Sequence, residues 1–128
     1  MSTAAVVLID HGSRETAANA VVESVANALR VRLPDRTVEI AHLELAPPDL
    51  ADAVARCVAL GASEIIVQPF FLAPGRHTTA DIPKLAEAAA ARHPGVSIHV
   101  GVPLGAHPAL VDAVIGRLSE GEDRRRRE

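Results

Sequence analysis

The sequence predicts an α/β fold: a single domain built on a four-stranded, mainly parallel sheet in the order 2-1-3-4, with helices on both faces. Three observations carry that prediction. Apolar runs of strand length recur four times, at Val6–Ile9, Thr37–Leu45, Glu64–Leu72 and Val96–Val102. Each is followed by a segment of helical spacing, the alternation that builds parallel sheets through crossover helices. The first and third runs are the most apolar and belong in the middle, buried on both faces. The second and fourth are interrupted by polar residues and suit the edges. The 128 residues are enough for one compact domain and too few for two, and a hydrophobic content of 48% supplies its core.

Taken in order, Val6–Ile9 is a continuous β-branched run that ends abruptly in Asp10-His11-Gly12-Ser13. A helix follows over Glu15–Arg32, with apolar residues at Ala18, Val21, Val22, Val25, Ala28 and Leu29, and Pro34-Asp35 closes it. The second strand, Thr37–Leu45, contains Glu39, His42 and Glu44. Pro47-Pro48-Asp49 opens a second helix that runs to about Leu60, where Gly61 stops it. The third strand reads EIIVQPFFL, with Pro69 near its end, where a missing ladder donor is tolerable. Residues 73–77 read as a loop. A third helix is expected from Asp81-Ile82-Pro83, with the proline in its first turn, to Ala91 or Arg92, before His93-Pro94-Gly95. The fourth strand alternates Val96, Ile98, Val100 and Val102 with Ser97, His99 and Gly101, the pattern of a half-exposed edge. Pro108–Leu118 is the last helix. The domain is expected to occupy residues 1–120, and residues 121–128, GEDRRRRE, contain no apolar residue and read as a disordered charged tail.

Composition excludes several functions. Aromatic content is 2%, with no Trp or Tyr, and the net charge is −3. Neither a base-stacking surface nor a basic field is available, so no nucleic-acid partner is expected. Cys57 is the only cysteine, which rules out an intramolecular disulfide and Cys-rich zinc patterns. No apolar window is long enough to span a bilayer, and Met1–Ala5 lacks the basic start of a signal peptide. The expectation is a cytoplasmic protein with no membrane partner. There is no GxxxxGK[ST], GxGxxG or GxSxG sequence, so phosphate cradles and a nucleophile elbow have no support.

In the order 2-1-3-4 the winding reverses between strands 1 and 3, and ligands bind in the crevice at such a switch point. His11 follows strand 1, His77 lies in the loop after strand 3, and Glu44 ends strand 2. Each has a plainer reading alone: a turn residue, a hydrogen-bond donor, a solvated carboxylate. Converging, two imidazoles and a carboxylate with open positions make a site for iron, cobalt, nickel or zinc. His42 shares the face of Glu44 but lies deeper and reads as structural. His93 ends a helix, His99 is on the outer side of an edge strand, His107 enters a helix, and Cys57 lies on a core face.

Four segments, LIDHGSR (8–14), AHLELAPPDL (41–50), VQPFFLAPGRHTTADIP (67–83) and PLGAHPAL (103–110), together resemble the small CbiX-type sirohydrochlorin chelatases, members of the ATP-independent class II chelatases. The resemblance covers nearly the whole chain apart from the tail. It implies a chelatase-like, flavodoxin-like half-unit that pairs as a homodimer, and a reaction that inserts Co²⁺, Fe²⁺ or Ni²⁺ into sirohydrochlorin for siroheme or cobalamin synthesis. The divalent metal is a substrate there, and no cofactor beyond it is implied. His11 and His77 are similar to the family's metal-binding and catalytic histidines, and Glu44 to the accompanying carboxylate. A neutral imidazole binds the ion and accepts a proton near neutral pH. The substrate carries many carboxylates, which Arg14 and Arg76 could pair with, and Ser13 and backbone amides near Gly75 could add hydrogen bonds. The alternative is a carrier that holds metal or tetrapyrrole without turnover.

Overall fold

The computed structural model describes residues 4–73 and 75–128, with the backbone alone for residues 76–79. The elements are β1 (Ala4–Asp10), α1 (Thr16–Arg32), β2 (Thr37–His42), α2 (Leu50–Ala59), β3 (Glu64–Pro69), α3 (Arg76–Arg92), β4 (Ser97–Val100) and α4 (Pro108–Arg127). The sheet order is β2-β1-β3-β4, and every neighbouring pair is parallel. The order is the predicted one because β1, with five consecutive buried residues, is the run that water is kept from on both faces.

Alternation along β1 divides the interior. Ala5, Val7 and Ile9 pack with Leu50, Val54 and Cys57 of α2 and Ile82 of α3 in the main core. Val6 and Leu8 point to the opposite face, where α1 buries Val22 and Ala26. Around the β2 edge of the sheet an ion network ties the first helix to the edge strand. Arg30 Nη2 donates to the Val38 carbonyl (2.7 Å) and lies 3.5 Å from Glu39, which also pairs with Arg56.

Three boundaries differ from the sequence reading. Helix α3 starts at Arg76, five residues ahead of the predicted Asp81, with Gly75 as its N-cap. His77 is therefore a first-turn residue of a helix and not a loop residue, and Pro83 lies inside the helix. β2 ends at His42, so Glu44 stands in the bend beyond the strand. The segment from Gly121, expected to be a disordered tail, continues α4 to Arg127. Its charges favour that: Asp123 pairs with Arg126 (3.6 Å), and four arginines in the last turn complement the negative end of the helix.

α2 is capped as its sequence suggests. Asp49 accepts from the Asp52 backbone N–H (2.8 Å), and the Asp52 side chain accepts in return from the Asp49 N–H (3.3 Å), a full capping box. No residue of α4 is buried. No helix among the described residues is long and apolar enough to cross a membrane.

Candidate metal centre

β2, β1 and β3 end at one edge, and backbone hydrogen bonds carry the ladder beyond the strands. Leu43 N–H donates to Asp10 O (2.9 Å), Glu44 N–H to His11 O (3.1 Å) and Phe70 N–H to Ile9 O (2.6 Å). The Glu44–His11 bond makes the two residues neighbours across the rim. Both are exposed there.

The close approach depends on backbone that few residues allow. Gly12 sits at φ +87°, and a Cβ on it would overlap the Glu44 carbonyl oxygen and lie 3.1 Å from His42 Cβ. Only glycine lets the turn after β1 lie against the bend after β2. Leu45 is also left-handed, at φ 71°, which costs a non-glycine residue roughly 1 kcal/mol. That turn brings the chain back to Pro48, whose carbonyl accepts from His42 N–H (2.8 Å).

The His11 turn is tied to α1 from its other side. Asn19 accepts from Ser13 N–H (2.9 Å) and donates to Ser13 O (2.7 Å), while Glu15 N–H donates to Ser13 Oγ (3.0 Å). A cleft of about 230 Å³ opens there, lined by Asp10, His11, Gly12, Ser13, Asn19 and Phe70 among others. Ser13 faces it and Arg14 is exposed beside it. Phe71 stacks on the His11 ring, with centroids 4.5 Å apart and planes at 29°.

Apolar side chains flank this polar centre. Leu45, Leu72 and Val102, from the loops after β2, β3 and β4, are each more than half exposed. The β3 and β4 loops are joined: Leu104 N–H donates to Phe71 O (3.1 Å), Gly105 N–H to Leu72 O (2.8 Å), and Gln68 Nε2 to Val102 O (2.7 Å).

His77 follows this loop as the second residue of α3, and Gly75 caps that helix. The side chains of Arg76 and His77 lie outside the described residues. Among the described residues no three His, Cys, Asp or Glu side chains form a metal-holding group. The described part of the predicted set is His11 beside Glu44, with the His77 backbone following the β3 loop whose Phe71 touches His11.

The remaining histidines fall where the sequence put them. His42 is buried, His99 is exposed on β4, and His93 is the C-cap of α3. His107 caps α4, its Nδ1 accepting from Ala109 N–H (3.0 Å). Sequence reasoning missed Phe71, Asn19 and the carboxylate partner of His42. Phe71 had a signal: the chain has only two phenylalanines, and both directly follow β3 at this edge.

Known proteins are similar to this chain in sequence and fold. The chain is 41% identical over 113 residues to the chloroplastic sirohydrochlorin ferrochelatase of Arabidopsis thaliana, covering 88% of this chain and 50% of the relative. It is 31% identical over 123 residues to the sirohydrochlorin cobaltochelatase of Methanococcoides burtonii, covering 90% of this chain and 94% of that one. Among solved structures it superposes on the sirohydrochlorin chelatase SirB of Bacillus subtilis subspecies spizizenii in complex with cobalt. The TM-score is 0.84 at 30% identity, over 93% of this chain and 51% of SirB. The chain thus spans about half the length of the Arabidopsis and Bacillus proteins and nearly all of the Methanococcoides one. The CbiX family model matches residues 5–121, which take in every element that carries His11, Glu44 and His77, and the chain belongs to the CbiX family.

Proposed function

We propose that the protein inserts a divalent metal, Co²⁺, Fe²⁺ or Ni²⁺, into sirohydrochlorin without ATP. The observation that carries this is the exposed His11–Glu44 pair, hydrogen-bonded through the backbone and set among exposed apolar side chains. Insertion releases two pyrrole N–H protons while four ring nitrogens take the ion. His11 and His77 would hold the entering ion through neutral imidazole nitrogens, and Glu44 would help hold it and accept protons. A partial ligand set keeps the ion exchangeable, which delivery requires. Leu45, Leu72 and Val102 offer a surface for the flat face of the ring. Arg14, Arg76, Ser13 and the amide near Gly75 would meet its carboxylates.

The working form in this reading is a homodimer. α4 carries Val111, Val114, Ile115 and Leu118 at helical spacing, each more than half exposed, and no residue of the helix is buried. A helix with an unpartnered apolar stripe gains little from its own propensity and is stabilised by packing. On the sheet face opposite the main core, Ile66 and His99 are also exposed. A second copy supplies the missing packing, and with it the half that longer relatives carry in one chain. The single, buried Cys57 fits a reducing compartment such as the cytoplasm.

The test is anaerobic incubation with sirohydrochlorin and each of the three ions, followed by the absorbance change of the macrocycle. Multiple turnovers that are lost in both His11→Ala and His77→Ala are expected. Undiminished turnover in both variants would defeat the mechanism. Product retained in one-to-one amount with no further turnover would favour the carrier.

A further inference from the structure

A polar pair, one member buried and the other half-buried, lies directly beneath the site and has no part in the proposed insertion. His42, the last residue of β2, is 3% exposed, and its Nδ1 donates to Asp10 Oδ1 at 2.6 Å. Asp10 is the last residue of β1 and the register partner of His42. The pair is the last rung before His11 and Glu44. Leu43 N–H bonds Asp10 O above it, Glu44 N–H bonds His11 O above that, and Gly12 packs on both His42 Cβ and Glu44 O. Hydrocarbon side chains could fill this space at no cost in stability, because a buried polar pair must recover its desolvation. What the pair adds is direction: a short bond between a ring nitrogen and a carboxylate fixes where the two strand ends lie relative to each other.

We propose that Asp10 and His42 are positioning residues that set the spacing of His11 and Glu44, and so the affinity of the site for the entering metal ion. This rests on the reading of His11 and Glu44 as metal ligands. In this role the pair acts through the strand ends and not as a ligand of the ion. It holds one strand end against the other, so that Glu44 meets an ion at His11 without first reordering its bend. The selective consequence is on metal use. The tetrapyrrole is met by exposed apolar and arginine side chains further out, and its apparent affinity does not depend on this rung.

The experiment compares wild type, His42→Leu, His42→Asn and Asp10→Asn. For each, the apparent KM for Co²⁺ and for sirohydrochlorin are measured separately, and Co²⁺ alone is titrated in the absence of the ring. His42→Leu is expected to weaken Co²⁺ by about tenfold or more, the usual size of an outer-shell effect, with the sirohydrochlorin KM within about twofold of wild type. His42→Asn, whose amide can still donate to Asp10, is expected to recover most of the loss. Should His42→Leu fail to fold, the near-isosteric Asp10→Asn is expected to show a smaller loss of the same kind. Wild-type Co²⁺ affinity in folded His42→Leu, or in Asp10→Asn where His42→Leu does not fold, overturns the proposal. So does a loss that falls equally on both substrates, or one that His42→Asn does not relieve. A wild type that binds Co²⁺ but inserts none defeats the chelatase reading alone, because the titrations with Co²⁺ still decide the positioning role. A wild type that binds no Co²⁺ overturns both.

Discussion

Phe71 lies over the imidazole of His11, with ring centroids 4.5 Å apart and planes at 29°. One side of the candidate ligand is therefore covered by hydrocarbon, and the ring cannot swing freely about its Cβ–Cγ bond. An aromatic contact of this kind contributes about 0.5–1.5 kcal/mol beyond the area it buries. Phe71→Leu keeps apolar bulk and removes the flat face. Co²⁺ affinity, read by titration of the visible absorption bands at neutral pH, is expected to fall by about fivefold, the equivalent of about 1 kcal/mol. Phe71→Tyr is expected to stay close to wild type, since it keeps the stack.

Gly12 and Gly61 form a natural pair of controls. Both are left-handed, at φ +87° and +99°. A Cβ at Gly61 meets nothing within 4 Å, whereas one at Gly12 overlaps the Glu44 carbonyl. Gly61→Ala is expected to cost about 1 kcal/mol, the penalty of a left-handed alanine. Gly12→Ala is expected to cost at least about 2 kcal/mol, because the bend after β2 must also move. Urea unfolding of the two variants checks the difference. Titration with Co²⁺ should show that Gly12→Ala alone loses the metal site.

The parts of this architecture legible in the sequence are those set by water exclusion. β1 is a run of five buried residues, so its place beside both β2 and β3 could be read from hydropathy alone. The adjacency of His11 and Glu44 followed from that order. Legibility failed where local signals competed. Pro83 pointed to a helix start, since proline is tolerated in a first turn, but the glycine at 75 starts α3 and the helix accommodates Pro83 in its interior. The last eight residues read as a tail because they lack apolar groups. Charge pairs one turn apart, such as Asp123 and Arg126, and arginines at the negative end of the helix favour its continuation from the preceding turns. The Asp10–His42 bond was hidden because it requires strand register. Two polar residues at strand ends look solvated until Asp10↔His42 pairing places one against the other.

Helix α4 supplies a prediction about assembly. Its stripe of Val111, Val114, Ile115 and Leu118 is exposed in the single chain. A double substitution, Val114→Asp with Leu118→Asp, places two charges in that stripe. Sedimentation velocity is expected to show a dimer for wild type and a monomer for the variant, with reduced helical circular dichroism as α4 loses its packing. A wild-type monomer with full helix content would contradict the assignment of α4 as the interface.

Cys57 makes stability depend on alkaline pH in a defined direction. The thiol is fully buried among core residues of α2, and its pKa is raised from 9.0 to about 11. Burial is the main cause, the Glu39 carboxylate adds to it, and the Arg56 guanidinium partly opposes it. Below pH 9 the thiol is protonated in both the folded and the unfolded chain and contributes nothing to the pH dependence. Between 9 and 11 the unfolded chain loses the proton while the folded chain keeps it, so stability falls as pH rises. Two pKa units correspond to at most about 2.7 kcal/mol across that window. Any other group that titrates in this window does so equally in a Cys57→Ala variant. That variant should be less stable at pH 8 because of the cavity, and its stability should decline less steeply above pH 9. Urea unfolding of both proteins along this pH series measures the two slopes. Equal slopes would mean that the buried thiol is not what the folded chain holds protonated.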